Sequence, residues 1–404
     1  MASGGVSREV GRDLKLPEAS AHQALKTMVN HSLVTALIAG LGTILAGRIT
    51  AQTFTVLHTF TSASGPNVTN SDGANPSAGL ILSGNTLYGT AVYGGRSGWG
   101  TVFAVQTNGT SFTATYHFTG GSDGANPYAE LILSGNILYG TARKGGSWDA
   151  GTVFAVHMDG TGFTVLNSFT ATDPGGKNSD GANPHAELIL SGNTLYGTAE
   201  YGGSSGKGTV FAINTDGSGF TNLHNFAAGA YNSFSLYTNS EGANPSAGLV
   251  LSSNTLYGTA SHGGISGKGT VFAINADGTG FTNLHSFTAT PPYPQPQTNS
   301  DGANPTAGLV LSSATLYGTT AYGGTSGNGT VFSLLLASVS VTAPRLTIMP
   351  SESSAILTWP ANPGGFVLQS APSITGTFTN LPGATSPYTN PINGAQQFFR
   401  LISN

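Results

Sequence analysis

The sequence has no cysteine and very few charged side chains. Its 13 Lys and Arg and 17 Asp and Glu make up 7% of 404 residues, against roughly 25% in an average soluble domain. Without cysteine, disulfides, thiol catalysis and Cys-based metal sites are excluded. Exposed helix faces normally consist of Glu, Lys and Arg, so the shortage of charge argues against long helices. The net charge of −4 comes with no basic cluster, and nucleic acid is therefore not expected as a partner.

An uncharged apolar segment lies near the N-terminus. Residues 32–47 read SLVTALIAGLGTILAG, the length of a secretory hydrophobic region and short for a membrane span. Ala51 is a small residue suited to the position before a cleavage site. We therefore expect residues 1–51 to be an N-terminal extension and signal peptide, starting at Met1 or Met28. The mature chain would be secreted or bound to the cell surface without membrane insertion; a buried or anchoring helix is the alternative.

Glycine is abundant, at 59 residues, because a glycine-rich repeat fills residues 52–336. Each copy reads DGANP or EGANP, a short apolar run, LYGT, a Gly-rich loop and GTVF. The spacing from the acidic residue to the Thr of GTVF is the same in every copy, as from Asp72 to Thr101. Length varies only between copies. Insertions survive where backbone is solvated, so the constant part predicts a rigid packed unit.

Each repeat predicts four antiparallel strands. In the first repeat they are residues 78–82, 86–91, 101–106 and 112–118. Asn108-Gly109 marks the tight turn before the fourth strand. The last repeat lacks this strand, whereas a copy of it, residues 54–60, precedes the first repeat. The sequence therefore predicts an all-β fold with a five-bladed β-propeller closed by the N-terminal strand; an open solenoid or a ring completed by a partner is the alternative.

The motif as a whole has a recognisable relative. Its consensus, DGANPxAxLILSGNTLYGTAxxGGxSGxGTVFAINxDGTGFTxLHSF, resembles the GloVer tandem-repeat family of exported bacterial proteins over residues 53 to about 333. The resemblance implies a propeller that ends in a surface-sorting module. It brings no catalytic residues to positions of this sequence.

The C-terminal residues 344–404 do not repeat and follow a linker at residues 337–343. Their apolar patches are separated by Pro, Gly, Ser and Asn, a pattern typical of short strands. We expect a small β-sandwich that serves as a spacer or sorting module. Its LTWP, FVLQS and FFRL segments resemble fibronectin-III-like modules.

Aromatic residues in the Gly-rich loops are the first candidates for binding. In a propeller these loops share one face with the DGANP turns, while the tight turns occupy the other face. Flat rings with polar groups bind sugars and proteins alike; packing against neighbouring loops is the alternative. The candidate ligand-binding residues are Tyr93, Trp99, Trp148, Tyr201 and Tyr322.

The acidic residues that begin the repeats would form a ring on the same face. Several carboxylates together suit Ca²⁺, which takes many oxygen ligands. The alternative is that these side chains hydrogen-bond to the backbone of their own turns, as Asp commonly does, and that no cofactor or metal is bound. The residues are Asp72, Asp123, Asp180, Glu241 and Asp301.

Two repeats place Glu130 and Glu187 where the other three have glycine, with Tyr128 and His185 two positions earlier. Paired carboxylates catalyse glycoside hydrolysis, although a solvated pair in the channel is the alternative and no third acid is identifiable. The sequence therefore favours a non-enzymatic exported scaffold that binds extracellular glycan or protein through its loop face. A carbohydrate-active hydrolase or lyase and a self-assembling surface or matrix protein are the alternatives.

Overall fold

A computed structural model describes residues 53–65, 68–291, 295–336, 346–359, 366–381, 384–391 and 396–403. The predicted signal peptide and the predicted linker lie outside these ranges. No helix that could span a membrane occurs among the described residues. The chain separates into two compact units: residues up to 59 with Asn108–Thr110, and the remainder of the chain.

The repeats form a series of antiparallel sheets, as predicted for an all-β fold. Sheet 1 contains β1 (Ile81–Ser83), β2 (Thr86–Ala91), β3 (Thr101–Gln106) and β4 (Phe112–His117). Sheet 2 contains β5 (Ile132–Ser134), β6 (Ile137–Ala142), β7 (Thr152–His157) and β8 (Thr164–Ser168). Sheet 3 contains β9 (Ile189–Ser191), β10 (Thr194–Ala199), β11 (Thr209–Asn214) and β12 (Thr221–Asn225).

A short hairpin of β13 (Ala230–Tyr231) and β14 (Tyr237–Thr238) lies in the connection after sheet 3. Sheet 4 contains β15 (Val250–Ser252), β16 (Thr255–Ala260), β17 (Thr270–Asn275) and β18 (Thr282–Ser286). Sheet 5 contains only β19 (Val310–Ser312), β20 (Thr315–Thr320) and β21 (Thr330–Leu335).

The first strand of each repeat is the one that was wrongly placed. It was expected at residues 78–82, but β1 is shorter and begins later in the sequence, and its residues are only partly buried or exposed. The reason is that β1 is the edge of its sheet and pairs with β2 alone. In the internal sheets the buried residue of the apolar run, Leu131 or Leu188, lies just before the strand. By contrast, β2 and β3 begin and end at the predicted residues.

Successive sheets are joined by a phenylalanine that follows the fourth strand. Phe118 is fully buried and packs edge-on against Phe154 of β7, with ring centroids 5.2 Å apart. This T-shaped arrangement is a favoured geometry for aromatic pairs. Each sheet therefore shares its core with the next one in the sequence. The same contact joins Phe169 to Phe211, Phe226 to Phe272, Phe287 to Phe332 and Phe60 to Phe103.

The glycine of LYGT makes room for the phenylalanine of GTVF. A Cβ atom on Gly197 would lie 2.6 Å from the ring of Phe211 and 2.7 Å from the side chain of Leu188. Phe211 is fully buried. Glycine normally weakens a strand interior, so its presence here follows from the close packing of the next strand's aromatic ring.

The two ends of the series differ from its interior. In the part of the chain that the structure describes, no strand pairs with the outer edge of β21, and Val331 is 83% exposed although its counterpart Val210 is fully buried. In the described part of the chain, no strand is assigned to residues 54–60, where one was predicted. The described residues therefore show five sheets in series.

The C-terminal region consists of two three-stranded sheets. The first has the order β22 (Thr347–Ser351), β23 (Ser354–Thr358), β26 (Tyr388–Pro391). The second has the order β25 (Thr379–Asn380), β24 (Phe366–Ala371), β27 (Phe398–Ser403). Leu357 and Leu368 are buried. The predicted apolar patches thus lie in or beside strands, whereas the sandwich arrangement stays a prediction.

Candidate functional site

The acidic residue that begins each repeat accepts hydrogen bonds from residues that lie shortly before it in the chain, in or after the preceding fourth-strand segment. The Asp123 carboxylate accepts hydrogen bonds from the Thr119 amide at 2.8 Å, the Thr119 hydroxyl at 2.5 Å and the Tyr116 hydroxyl at 3.0 Å. Burial, followed by the Asp123 charge, raises the pKa of Tyr116. In the other repeats, Asp72 binds Thr61, Asp180 binds Thr170, Glu241 binds Ala227 and His224, and Asp301 binds Thr288 and His285.

These hydrogen bonds give the acidic side chains protein partners, but not the predicted ones in their own turns, and the calcium ring stays a prediction. Each carboxylate is used within its own junction between sheets, and the described residues contain no group of three or more His, Asp or Glu side chains that could hold a metal ion. The partners are backbone amides, hydroxyl groups and two histidine rings in or just after the preceding fourth strand, so the contacts lie between repeats rather than within the DGANP turn.

The five predicted aromatic residues lie in the loops between the second and third strands. All are exposed, from 41% for Tyr201 to 62% for Trp148. The Tyr93 hydroxyl lies 3.0 Å from the Tyr128 hydroxyl, which links the first two repeats. The Trp99 ring lies against Gly120, where a Cβ atom would collide with it. The structure thus brings Tyr93 to Tyr128 and places Trp99 against the next connection.

A group of polar side chains continues from Tyr93 and Tyr128 into the third repeat. The Arg143 guanidinium lies 5.7 Å from the centre of the Tyr128 ring, and its Nη2 lies 3.4 Å from Glu200 Oε2. His185 Nε2 lies 3.6 Å from the same carboxylate oxygen. We call this group the polar cluster; it consists of Tyr93, Tyr128, Arg143, His185, Glu200 and Tyr201.

The electrostatics of the polar cluster leave hydrogen-bonding capacity unused. Burial lowers the pKa of His185 although the Glu200 charge opposes this, and burial together with Glu200 raises the pKa of Tyr201. Arg143 Nε and His185 Nε2 are buried and have no hydrogen-bond partner among the described residues. Buried polar groups are normally satisfied, so these two nitrogen atoms are suited to a bound ligand.

The polar cluster occupies positions at which the repeats differ from one another. The residue after LYGTA or LYGTT is Val92, Arg143, Glu200, Ser261 and Ala321 in the five copies. A position that serves packing alone would keep one residue type in every copy. Sequence reasoning identified Tyr128 and His185 but missed Arg143 and Glu200; an alignment of the five repeats, position by position, would have found them.

Glu130 and Glu187 occupy space that glycines of other repeats leave open. A Cβ atom on Gly79 would collide with the Glu130 carboxylate, and one on Gly248 would lie 2.5 Å from Glu187 Cγ. Burial, followed by the charge of Glu130, raises the pKa of Glu187. The negative charge of Glu130 therefore makes ionisation of Glu187 less favourable.

Comparison with known families decides the membership of the chain. Residues 36–239 and 229–352 match the family described as the Gloeobacter/Verrucomicrobia repeat, which is more than half of the sequence. The chain belongs to this family. The resemblance to the GloVer repeats is thus confirmed for sheets 1 to 5, whereas the fibronectin-III-like character of the C-terminal region stays a prediction.

Comparisons of the Gloeobacter/Verrucomicrobia repeat chain with individual proteins and solved structures show weaker similarity. No curated protein matches it. A nidogen/laminin complex is similar with a TM-score of 0.38 and 15% identity, over 61% of this chain and 72% of that one. A puromycin-hydrolyzing peptidase from Mycobacterium tuberculosis has a TM-score of 0.40 and 13% identity, over 70% and 41%. TolB from Acinetobacter baumannii has a TM-score of 0.32 and 10% identity, over 64% and 56%. At TM-scores this low, the similarity assigns no activity to the Gloeobacter/Verrucomicrobia repeat chain.

Proposed function

We propose that the protein is an exported, non-enzymatic β-propeller that binds an extracellular glycan through the polar cluster. The observation that carries this proposal is the convergence of Tyr93, Arg143 and Glu200 from three repeats beside two buried nitrogen atoms that lack a hydrogen-bond partner among the described residues. A sugar presents an apolar ring face and several hydroxyl groups. Tyrosine rings suit the first and charged hydrogen-bonding groups suit the second.

A glycan fits the polar cluster better than a protein does. Protein interfaces depend on a buried apolar centre surrounded by a polar rim. The polar cluster instead has a charged pair at its centre, while the half-exposed rings of Tyr93 and Tyr201 flank it. This arrangement matches a small amphipathic ligand.

The test compares two cationic residues that are adjacent in the sequence. The secreted chain is screened on a glycan array, and the bound glycan is titrated into the wild type, Arg143→Gln and Lys144→Gln. Lys144 is exposed and lies outside the polar cluster. We expect R143Q to lose about 10-fold in affinity, which is about 1.4 kcal/mol, and K144Q to bind as the wild type does.

A second variant protects this test against a folding defect, since R143Q leaves Glu200 without its partner. Tyr201→Ala removes an exposed ring and should also weaken binding. If both R143Q and Y201A bind the glycan normally, the polar cluster is not the site. If no glycan on the array is bound, and a pull-down with the wild type recovers a protein that the R143Q variant does not bind, the proposed ligand class is wrong.

We also propose that residues 54–60 close the ring as the fourth strand of sheet 5. The segment reads FTVLHTF and matches FTNLHSF at residues 281–287 of sheet 4. There, Phe281 stacks on His224 with centroids 3.7 Å apart and on Phe272 at 5.7 Å. By this correspondence Phe54 would stack on His285 and Phe332.

An apolar surface beside β21 supports this proposal. A groove of about 230 Å³ is lined by Phe287, Val331 and Phe332, among others. Phe54 is 91% exposed and Val331 is 83% exposed. Burying such side chains contributes roughly 1.5–3 kcal/mol each, so pairing would stabilise the chain and complete a five-bladed propeller. The C-terminal sheets would then serve as a spacer or sorting module.

Export rests on the apolar segment at residues 32–47. The expected outcome is a mature protein that begins near Gln52. N-terminal sequencing of material from the culture medium checks this, and an intact N-terminus on exported protein would contradict it.

A hydrolase is the second candidate, and the raised pKa of Glu187 is the observation that favours it. A carboxyl group that retains its proton can act as a general acid, with Glu130 as the second carboxylate. A polysaccharide panel should then show turnover that Glu187→Gln abolishes. Absence of turnover, or turnover unchanged in E187Q, leaves the binding function alone.

A further inference from the structure

Lys268 is a buried cation at a position where the repeats differ. Only 7% of the residue is exposed. Its Nζ atom donates a hydrogen bond to Gln297 Oε1 at 3.1 Å. Burial lowers the pKa of Lys268, as expected for an ammonium group removed from water. The equivalent residues of the other repeats are Trp99, Ala150, Lys207 and Asn328.

The ammonium group of Lys268 has no acidic partner in the described part of the chain. Gln297 is neutral and is held by the Thr290 hydroxyl, which donates to Oε1 at 2.8 Å, and by the Pro291 carbonyl, which accepts from Nε2 at 2.6 Å. Its fixed amide therefore satisfies one of the three donors of Lys268. Burying a charge without a counter-charge is unfavourable, so an anion would be bound strongly here.

A cavity of about 570 Å³ opens beside Lys268. It lies between the two longest connections of the repeat region and is lined by Ser233, Phe234, Leu236, Thr290, Lys268 and Gln297, among others. Phe234 is 59% exposed. A neighbouring cavity of about 230 Å³ is lined by Lys268, Asn304 and Tyr322. None of the residues that line the two cavities is acidic.

Lys207 shows that a lysine at this repeat position does not always lie beside a neutral amide and a cavity. It occupies the same repeat position one copy earlier, and its Nζ lies 3.9 Å from the centre of the Tyr237 ring. The ring face compensates the charge of Lys207 through a cation–π interaction. The next connection provides Lys268 with a neutral amide and an open cavity instead.

We propose that the Lys268 cavity binds the carboxylate or sulfate group of an acidic polysaccharide. Lys268 is the counter-ion, and the Phe234 ring contacts the apolar face of the same sugar. The proposal rests on the glycan-binding function above and adds, outside the polar cluster, a second site that selects an acidic glycan. Tyr322, one of the exposed aromatic residues of the loops, extends the site beside Lys268.

The experiment uses isothermal titration calorimetry of the full mature chain with three oligosaccharides of equal length. The probes are an oligogalacturonate, a sulfated oligosaccharide and a neutral oligosaccharide. We expect one of the acidic probes to bind at least 10-fold more tightly than the neutral one. Which acidic probe binds distinguishes carboxylate from sulfate.

The matched variants are Lys268→Gln and Lys177→Gln, which remove the same charge. Lys177 is exposed and does not line the cavity. K268Q should lose the preference for the acidic probe by 10-fold or more, and K177Q should retain it. Phe234→Ala alters an exposed side chain and should weaken binding about 3-fold, which keeps the test valid if K268Q folds poorly.

Three results overturn the proposal. The first is equal binding of the acidic and neutral probes. The second is binding by both F234A and K268Q that equals that of the wild type. The third is binding of the neutral probe alone. In each of these cases the glycan-binding function survives because a glycan is still bound. If none of the three probes binds and the glycan array is also blank, both proposals are wrong.

Discussion

Sheets 2 to 4 and the two end sheets are built from the same sequence motif, yet their side chains are buried to very different extents. In the interior, Leu188 is 1% exposed and Val210 is fully buried. At the ends, the equivalent Leu80 is 48% exposed and Val331 is 83% exposed. Each sheet of this protein therefore depends on its neighbours for its core, as in other repeat architectures in which stability arises between units.

Residues 54–60, the extra copy of the fourth strand, make contacts that resemble those of fourth strands in the interior. Phe60 already packs against Phe103 as Phe118 packs against Phe154. Within the smaller unit, a Cβ atom on Gly109 would lie 3.3 Å from the Leu57 carbonyl oxygen, and one on Gly278 would lie 3.1 Å from that of Leu223. The segment thus makes contacts typical of a fourth strand, while among the described residues no strand pairs with the matching edge of sheet 5.

Removal of residues 52–60 should have the largest effect on this difference between interior and ends. If the segment closes the ring, its loss exposes several apolar side chains that are worth roughly 1.5–3 kcal/mol each. Urea unfolding of chains that begin at Gln52 and at Thr61 measures the change. An equal midpoint for both chains contradicts closure. A stability that depends on protein concentration would show that a second copy supplies the strand.

Leucine-to-alanine substitutions compare the interior with an end directly. Leu188→Ala should cost about 2–5 kcal/mol, as is usual for a buried leucine. In a closed ring Leu80→Ala should cost nearly as much, because sheet 5 would cover it. Thermal or urea unfolding of the two variants gives the answer, and a small cost for L80A alone would show that the ends remain apart in solution.

The hydrogen bonds that Asp180 and Asp301 accept from the preceding connections should contribute equally to the free energy of unfolding, in the interior and at the junction of sheets 4 and 5. Asp180→Asn and Asp301→Asn each weaken bonds to a threonine amide and hydroxyl. We expect a loss of about 1.5–3 kcal/mol, typical of hydrogen bonds to charged groups. Asp216→Asn, in an exposed turn, serves as the control in unfolding experiments. If D216N destabilises the chain as much as D180N does, the hydrogen bonds of Asp180 have no special role in joining the sheets.

A smaller effect concerns acid sensitivity of the interior. Burial lowers the pKa of His224 below its usual 6.5, although Glu241 opposes the shift. The unfolded chain therefore binds a proton first as the pH falls below 6.5, and the free energy of unfolding decreases by less than about 1.4 kcal/mol per pH unit. His224→Asn introduces the residue found at the equivalent position 167.

Urea unfolding between pH 7.5 and 5.5 checks the sign of this effect. H224N should lose less stability over this range than the wild type. A wild type that becomes more stable on acidification would mean that the Glu241 charge outweighs burial.

Much of the repeat was predictable because its local signals agree. The Asn108-Gly109 turn marked the hairpin between β3 and β4, and both β2 and β3 lie at the predicted residues. The start of β1 was missed because an apolar run does not reveal at which residue pairing with β2 begins. The segment at residues 54–60 was predicted to be a strand from its likeness to β18, but its backbone partner depends on a contact with the far end of the repeat region.

The candidate site was only partly visible in the sequence. The exposed rings of Tyr93 and Tyr201 could be predicted from their glycine-rich surroundings. Arg143 and Glu200 could not be paired in advance, since the two residues are far apart in the chain and only the packing of sheet 2 on sheet 3 brings them within 3.4 Å. Lys268 was likewise visible as a lysine, but its burial results from two connections of irregular length.

The sequence alone determined the strand order within a repeat, because turns and alternating side chains act over a few residues. It also determined the constant length of each repeat and the position of the variable connections, which follow from comparing the copies. Only the tertiary structure decided which acidic residues tie sheets together, which polar residues converge and which lysine is buried. These features depend on side chains from different repeats meeting at distances that local preferences do not set.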